Sequence, residues 1–190
     1  MASNELSHTA SPCVLVLAAG RGERFAASGG TSHKLQAEIA PGITVLQATL
    51  AAVRASGLPW HVEYGPHAGM GESIAAAVRA TLGAKGWLIL PADLPLVRAS
   101  SLRRVADVLA ERSREPGLQV VQPCHRGLRG HPVGFSAAAF EPLSKLAGDR
   151  GASSVVRQAA QQGGLLRLDM EDEGMVLDVD TMALLGQARQ

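Results

Sequence analysis

The sequence lacks the features that nucleic-acid-binding and membrane proteins need. Only 3% of its residues are aromatic, its formal net charge is +1, and its Lys and Arg residues are spread along the chain. Stacking rings and a basic patch are therefore missing. No apolar run approaches the roughly 20 residues of a membrane-spanning helix. We expect a protein with neither a nucleic-acid nor a membrane partner.

Cysteine is also scarce. The two cysteines, Cys13 and Cys124, lie far apart and form no CxxC pair, which predicts two free thiols in a reducing compartment. Residues 1–12 are polar and lack the basic start and apolar stretch of a secretion signal. The sequence therefore predicts a cytoplasmic protein with a disordered tail over residues 1–12.

The residues that are abundant indicate the fold. Ala, Val, Leu and Ile dominate a hydrophobic fraction of 46% over 190 residues, and short apolar runs alternate with segments of helical periodicity. Strands are predicted at 14–18, 60–64, 87–90, 118–122, 133–136, 165–168 and 175–179. Helices are predicted from 44 to 57, at 72–82, from Ser100 or Ser101 as the cap, within 137–146, at 152–161 and after 180. This alternation predicts one α/β domain over 13–188, a Rossmann-like, doubly wound, mostly parallel sheet with helices on both faces.

The first predicted strand runs into a glycine-rich segment, Ala18-Ala-Gly-Arg-Gly-Glu-Arg24. Gly20 and Gly22 let the backbone turn so that its N–H groups can face phosphate oxygens, while Arg24 and Lys34 supply positive charge. The stretch 19–42 is too long for an ordinary connection. A phosphate-binding loop and a tight turn with surface basic residues fit these residues about equally well.

Acidic residues follow two other predicted strands. Asp93 comes directly after 87–90, where a carboxylate can meet phosphates only through a divalent cation, although it can equally cap the next turn. Asp178 and Asp180 are two residues apart, so in a strand both carboxylates face one side. Asp180 can also cap the last helix.

Two further turns carry candidate ligand groups. Gly69-Met-Gly-Glu-Ser73 opens a helix whose N–H groups can bind a base or a phosphate, although Ser73 or Glu72 can simply cap that helix. Arg126-Gly-Leu-Arg-Gly-His-Pro-Val133 is a basic turn suited to an anionic second substrate, or else an ordinary surface loop. The histidines other than His131 show no metal-ligand spacing and are expected to have no catalytic role.

Taken in order, these motifs resemble the MobA-like NTP transferases, and most closely their molybdenum cofactor cytidylyltransferase branch. The resemblance spans roughly 14–185. Its motifs here are Leu17-Ala-Ala-Gly-Arg-Gly-Glu-Arg24 with Lys34, Gly69-Met-Gly-Glu-Ser73, Ala92-Asp-Leu-Pro-Leu96, Gly130-His-Pro-Val133, Gly148-Asp-Arg-Gly-Ala152 and Asp178-Val-Asp-Thr181. It implies the nucleotide-diphospho-sugar transferase fold and Mg²⁺-dependent transfer of CMP from CTP to a molybdopterin-type cofactor, with release of pyrophosphate.

The resemblance also assigns roles to residues. The implied nucleotide-binding residues are Leu17, Ala18, Ala19, Gly20, Gly22, Arg24, Lys34, Gly71 and Ser73. The basic turn itself predicts the acceptor-binding residues Arg129, Gly130, His131 and Pro132. Asp93 and Asp180 would bind Mg²⁺, and Arg24, Lys34 and Asp93 would be catalytic. Because guanylyl relatives carry LAGG where this chain has LAAG, Ala19 favours CTP.

Two departures from the family pattern leave alternatives open. The segment between the first long helix and the GMG turn contains only 60–64, which predicts a sheet that is one strand short. The loop 25–33 is longer than usual. Transfer to a sugar phosphate or another phosphorylated acceptor is a second possible activity. A third possibility is a non-catalytic module that binds the molybdenum cofactor and works with a molybdoenzyme or its maturation factor.

Overall fold

A computed structural model describes residues 11–20, 22–30 and 33–189. The strands are β1 Cys13–Leu17, β2 Glu38–Ala40, β3 Ile43–Thr44, β4 Trp60–Glu63, β5 Gly86–Pro91, β6 Val120–His125, β7 Leu128–Arg129, β8 Val133–Ser136 and β9 Leu165–Asp169. The α-helices are α1 Glu23–Ala27, α2 Val45–Ser56, α3 Met70–Ala80, α4 Ala99–Arg112, α5 Phe140–Ser144, α6 Ser153–Gln161 and α7 Met182–Ala188. Short 3-10 helices occupy Lys34–Gln36, Ala137–Ala139 and Glu173–Met175.

The main sheet is mostly parallel, as predicted. Strand β1 lies between β4 and β5 and is parallel to both. Strand β8 is antiparallel to its neighbours β5 and β6, and β9 is parallel to β6. The carboxyl ends of β4, β1 and β5 therefore meet at one edge of the sheet, which is where an open α/β sheet binds its ligands.

Alternate residues of the central strands pack into two apolar layers. Val14 and Val16 of β1 join one buried cluster, which includes residues of α2 and α4. Cys13 and Leu15 join the other, which includes residues of α3, α5 and α6. Since side chains alternate across a strand, the all-apolar sequence of β1 supplies both layers. The prediction of helices on both faces is confirmed.

Several predicted element boundaries are wrong. No strand forms over 175–179, because Glu173–Met175 is a 3-10 helix and the chain after it is irregular. Neither Ser100 nor Ser101 caps α4, which begins after Arg98 without a side-chain cap. The carboxylate of Asp172 instead accepts hydrogen bonds from the backbone N–H of Arg98 and the hydroxyl of Ser101.

The stretch 19–42 contains more structure than the predicted loop. It forms α1, the 3-10 helix Lys34–Gln36 and the strand β2, which pairs with β3 in a separate ribbon. Helix α2 begins and ends as predicted, with Thr44 and Gln47 in a capping box and Gly57 in the left-handed region.

The elements extend from Cys13 to Ala188. The predicted tail 1–12 falls mostly on residues 1–10, which lie outside the described residues. Both cysteines are free and buried. Within the described residues, no helix has the length and apolar character needed to cross a membrane.

Candidate active site

A cleft of about 480 Å³ opens at the carboxyl ends of β1 and β5. The loops that follow these strands, the N-terminal turn of α3 and the segment before α7 form its walls. Nine of the predicted site residues line it: Leu17, Ala19, Gly20, Gly22, Arg24, Lys34, Ser73, Asp93 and Asp180. The structure thus brings together residues that are separated by up to 163 positions in the chain.

Three carboxylates converge at one end of the cleft. Asp93, Asp178 and Asp180 each offer an oxygen, and these oxygens lie within 4.8 Å of one another. Asp93 lies two residues beyond β5, and its carbonyl accepts a hydrogen bond from the N–H of Val179 at 2.9 Å. This bond, and not the strand predicted at 175–179, places Asp178 and Asp180 beside Asp93.

Lys34 supplies the positive charge within this cluster. Its ammonium donates to the carboxylates of Asp93 and Asp180, the latter at 2.7 Å. Its side chain is only 12% exposed, because the neighbouring Leu35 is buried in the core and anchors the 3-10 helix. Arg24 pairs with the second oxygen of Asp180 at 2.5 Å from a largely exposed position.

The charges in this cluster shift its pKa values in opposite directions. Burial, together with the charges of Asp180 and Asp93, raises the pKa of the Asp178 carboxyl. Burial alone would also raise the pKa of Asp180, but hydrogen bonding and charge from Lys34 lower it overall. Burial opposes the charged form of Lys34, yet the two carboxylates raise its pKa overall. Asp178 is thus the carboxylate whose negative charge is least compensated.

The carboxylates fit a divalent cation. Within the described residues, the Oδ1 atom of Asp93 is buried and has no hydrogen-bond partner. Leaving a buried carboxylate oxygen without a partner is costly. Oxygen-only donor sets of this kind suit Mg²⁺ or Mn²⁺. Asp93 and Asp180, with Asp178 beside them, therefore form a candidate metal centre.

A histidine outside the predicted site closes the loop that follows β1. His33 donates from Nε2 to the carbonyl of Gly20 at 2.8 Å, while its Nδ1 accepts from the N–H of Leu35. These bonds tie the loop after β1 to the 3-10 helix that carries Lys34. The glycine at 22 has a left-handed φ of 66° and precedes α1. Residues with a side chain rarely adopt this left-handed conformation, so glycine is favoured at position 22.

The N-terminal turn of α3 differs from its prediction. The helix begins at Met70 with no side-chain cap, and the carboxylate of Glu72 accepts instead from the N–H of Gly148. Gly71 packs against Ala147 and donates its N–H to Gly148, so that this N–H is engaged within the protein. Ser73 lines the cleft and its hydroxyl oxygen is buried without a partner among the described residues.

A second group of polar side chains lies on the β4 side of the cleft. His67, between β4 and α3, lines the cleft, and its Nε2 contacts Glu63 Oε1 at 2.9 Å. The other oxygen of Glu63 contacts Nε2 of His61 at 3.1 Å. Neither His33 nor His67 is among the site residues predicted from the sequence, because a single histidine in a loop carries no spacing signal.

The predicted acceptor segment lies beside the cleft and is not among the residues that line it. Arg129 is exposed on β7, and the carbonyl of Gly130 accepts from the side chain of Gln122. The backbone N–H of His131 donates to Met175. Burial lowers the pKa of the His131 imidazole, whose Nδ1 is buried without a partner in the described chain. Pro132 is buried next to it.

Comparison with known proteins identifies the family. The model of the MobA-like NTP transferase domain matches residues 51–163, more than half of the 190-residue chain. The chain belongs to the MobA-like NTP transferase family. Its general reaction is therefore nucleotidyl transfer, with a nucleoside triphosphate as donor. The matched span contains Ser73 and Asp93. Lys34 and Asp180 lie outside this span, and the fold brings them into the same cleft. No curated protein matches the chain in sequence.

Solved structures share the fold over nearly the whole chain. Rv0371c from Mycobacterium tuberculosis H37Rv is 24% identical with a TM-score of 0.72, and the match covers 94% of this chain and 97% of that one. A nucleotidyl transferase from Methanothermobacter thermautotrophicus is 22% identical with a TM-score of 0.73, covering 94% and 96%. A CMP:2-keto-3-deoxy-manno-octonic acid synthetase complexed with CTP is 14% identical with a TM-score of 0.58, covering 94% and 97%.

Proposed function

We propose that this chain is a Mg²⁺-dependent cytidylyltransferase that transfers CMP from CTP to a molybdopterin-type cofactor. The observation that carries the proposal is the contact of Lys34 with Asp93 and Asp180 beside the phosphate loop. A triphosphate needs positive charge, and its metal needs oxygen ligands. Lys34 and the carboxylate cluster at the carboxyl end of β5 offer these two groups. Rv0371c, which has the same fold, has also been solved as a complex with manganese.

In the proposed reaction, a terminal phosphate oxygen of the acceptor attacks the α-phosphorus of CTP. The new phosphorus–oxygen bond forms as the bond to the β-phosphate breaks, and pyrophosphate leaves with its electron pair. Lys34 and Arg24 neutralise the phosphate oxygens, and the loop from Leu17 to Gly22 positions the nucleotide. Asp93 and Asp180 would hold the metal, whose charge stabilises the phosphates when it is bound. Such a reaction depends on alignment and charge, with little covalent chemistry from the protein.

The resemblance to the cytidylyltransferase branch supports the choice of acceptor. The basic, glycine-rich turn that contains Arg129, Gly130, His131 and Pro132 is suited to an anionic acceptor. This segment lies beside the cleft on the β8 side of Asp93, because it leads into β8, which pairs with β5 in the sheet. This position suits an acceptor that approaches the α-phosphate from the side opposite the nucleoside. A molybdoenzyme or its maturation factor would then receive the product.

The proposal is tested by measuring pyrophosphate release from CTP with Mg²⁺ and molybdenum cofactor. The Asp93→Ala variant is expected to retain its fold, because Asp93 holds Val179 through its backbone carbonyl, and to lose at least about 100-fold in turnover. Asp107→Ala changes an exposed carboxylate on α4 and serves as the matched control.

The outcomes separate the three candidate functions. Unchanged pyrophosphate release in Asp93→Ala would contradict the assignment of the catalytic centre. Release with a sugar 1-phosphate in place of the molybdenum cofactor would identify a different acceptor. Mg²⁺-dependent binding of CTP without pyrophosphate release from any acceptor would indicate a binding or delivery module.

A further inference from the structure

His67 lies on the β4 side of the cleft, away from the carboxylate cluster that follows β5. It follows β4, whereas Asp93 follows β5, and β1 lies between these strands. Two strand spacings separate the two ends of the cleft by roughly 10 Å. If the metal and the phosphates occupy the Asp93 end, the nucleoside extends toward the His67 end. The base then lies between the loop after β1 and the N-terminal turn of α3.

Contacts around His67 fix which hydrogen-bonding group it can offer. Its Nε2 lies 2.9 Å from an oxygen of Glu63, and a carboxylate can only accept. Nε2 must therefore carry the hydrogen, which leaves Nδ1 of the neutral ring as an acceptor. Among the described residues, no hydrogen bond engages Nδ1. The His67 side chain is about one-fifth exposed, so the ring is held in place and remains accessible from the cleft.

Ser73 and Ala19 line the same cleft as His67. Ser73 is only 3% exposed, and its buried hydroxyl has no hydrogen-bond partner in the described part of the chain. A ligand in the cleft can supply that partner. Ala19 packs against the loop that carries His67, since a Cβ added to Gly65 would lie 3.2 Å from the Cβ of Ala19. His67 therefore offers the cleft one hydrogen-bond acceptor, Nδ1, and Ser73 offers a hydroxyl that can donate or accept.

We propose that His67, oriented by Glu63, recognises the exocyclic group of the base and selects cytosine over uracil. This inference rests on the proposed function, which places a nucleotide in the cleft. The N4 amino group of cytosine is a donor, and it matches the acceptor at Nδ1. The O4 atom of uracil and the O6 atom of guanine are acceptors. Neither can form a hydrogen bond with Nδ1, because Nδ1 is also an acceptor. The Ser73 hydroxyl can donate to an acceptor on the cytosine ring. Glu63 acts as a positioning residue.

The test is calorimetric titration with Mg·CTP and Mg·UTP in the absence of acceptor. The wild-type protein is expected to bind CTP more tightly than UTP. His67→Leu removes one hydrogen bond to cytosine and should weaken CTP binding by roughly 5- to 10-fold while leaving UTP binding nearly unchanged. His67→Asn, a smaller change, should also lower the CTP:UTP ratio, and it replaces the Leu variant if that variant fails to fold.

Two further variants separate recognition from a structural role. Glu63→Gln provides both a donor and an acceptor, so it no longer forces the hydrogen onto Nε2, and the CTP:UTP affinity ratio should fall toward 1. His61→Leu removes the other histidine that contacts Glu63 and should leave the ratio unchanged. This control is matched because His61 does not line the cleft.

The results distinguish the inference from the function on which it rests. If wild-type protein prefers CTP but His67→Leu keeps the same CTP:UTP ratio, His67 does not recognise the base and the proposed function stands. If wild-type protein shows no preference for CTP, the proposed nucleotide is wrong, and the inference falls with it. A fall in the ratio in the His67 and Glu63 variants, but not in His61→Leu, supports the inference.

Discussion

Lys34 and Arg24 together compensate part of the negative charge of three carboxylates. The Lys34 ammonium contacts Asp93 and Asp180, while Asp178 forms no ion pair among the described residues and has a raised pKa. Opposite charges at this separation interact strongly in a partly buried site. The Lys34 side chain therefore stabilises the folded protein before any substrate binds, in addition to the role proposed for it in the reaction.

We predict that Lys34→Met destabilises the metal-free protein by about 3 kcal/mol, because removing one partner leaves buried charges uncompensated. Urea denaturation with and without Mg²⁺ measures the effect. Added Mg²⁺ should restore stability to the variant more than to the wild type, since the ion replaces the missing positive charge. Lys85→Met, which changes an exposed lysine, is the control. Equal stability of Lys34→Met and wild type in chelator would contradict the prediction.

Asp178 provides a prediction with a defined dependence on pH. Its raised pKa means that its ionised form is disfavoured in the folded state, so this group opposes folding at neutral pH. Asp178→Asn should therefore increase the free energy of unfolding of the metal-free protein at pH 7, by less than about 1 kcal/mol in this partly hydrated site.

The gain in Asp178→Asn should disappear as the pH falls below the ordinary carboxyl value of 3.8, because Asp178 is then protonated in both states. Unfolding curves across this pH range measure the trend. Calorimetry should show weaker Mg²⁺ binding by the same variant. A loss of stability at pH 7, or a gain that persists at low pH, would indicate that Asp178 is not the uncompensated charge.

Single residues could be predicted where an unusual side chain follows a buried strand. Asp93 was found because it comes directly after an apolar run, and Lys34 because it belongs to a motif. His67 and His33 could not be found in this way. Their significance depends on Glu63 and on the carbonyl of Gly20, and contacts between separate loops leave no pattern in the sequence.

The start of α4 shows how an element can depend on a distant residue. The helix has no local cap, and Asp172, which is 2% exposed, accepts hydrogen bonds from Arg98, Ser101 and Gly174. One carboxylate thus joins the helix to the segment before the Asp178 and Asp180 pair. Its position also determines where that segment meets the cleft.

Asp172→Ala should lower the free energy of unfolding by about 3 kcal/mol, because three buried donors lose a charged acceptor. Chemical denaturation measures this change. Ser100→Ala, which alters one of the two predicted caps, should change stability by less than about 0.5 kcal/mol, since this serine is exposed. A larger effect in Ser100→Ala than in Asp172→Ala would show that the helix is capped locally after all.

Most elements could be predicted because their periodicity is local. Helix α2 has a capping box at Thr44 and a left-handed Gly57, and both are recognisable within a few residues of sequence. The strand predicted at 175–179 is wrong because a short apolar run is also compatible with irregular backbone. The backbone hydrogen bonds of this segment are partly within the local turn, to Asp172 and Glu173, and partly with Asp93 and His131.

At the scale of the whole molecule, both thiols are buried on strands of the main sheet, Cys13 on β1 and Cys124 on β6. Cys13 is 1% exposed and Cys124 is 5% exposed. Burial raises the pKa of Cys13 to about 12, so that its reactive thiolate form is suppressed. Access of a reagent to these thiols requires opening of the sheet.

We predict that both thiols react with a disulfide reagent only when the protein unfolds. Labelling under native conditions should be slow and should accelerate with urea in parallel with global unfolding. Mg·CTP should slow it, because a ligand that binds the folded state stabilises that state. Rapid labelling of either cysteine in native buffer would show that a part of the sheet opens independently.

The parallel sheet could be predicted because all-apolar strands alternate with amphipathic helices. The reversal of β8 could not, since its sequence is as apolar as that of a parallel strand. The convergence of the loop after β1 with the segment before α7 also depends on the whole topology. The family resemblance, which rests on motifs kept in order along the chain, indicated this convergence where the individual residues did not.

The contact of Lys34 with the carboxylates also bears on how substrate enters. A bare divalent ion would have to displace the Lys34 ammonium from Asp93 and Asp180. An ion already chelated by a nucleotide brings a triphosphate, and Lys34 can move onto it while the carboxylates take the ion. The ammonium thus keeps an anionic partner during the exchange. The resting protein is therefore matched to a metal–nucleotide chelate that arrives as one species, and it should bind this chelate more tightly than the free ion.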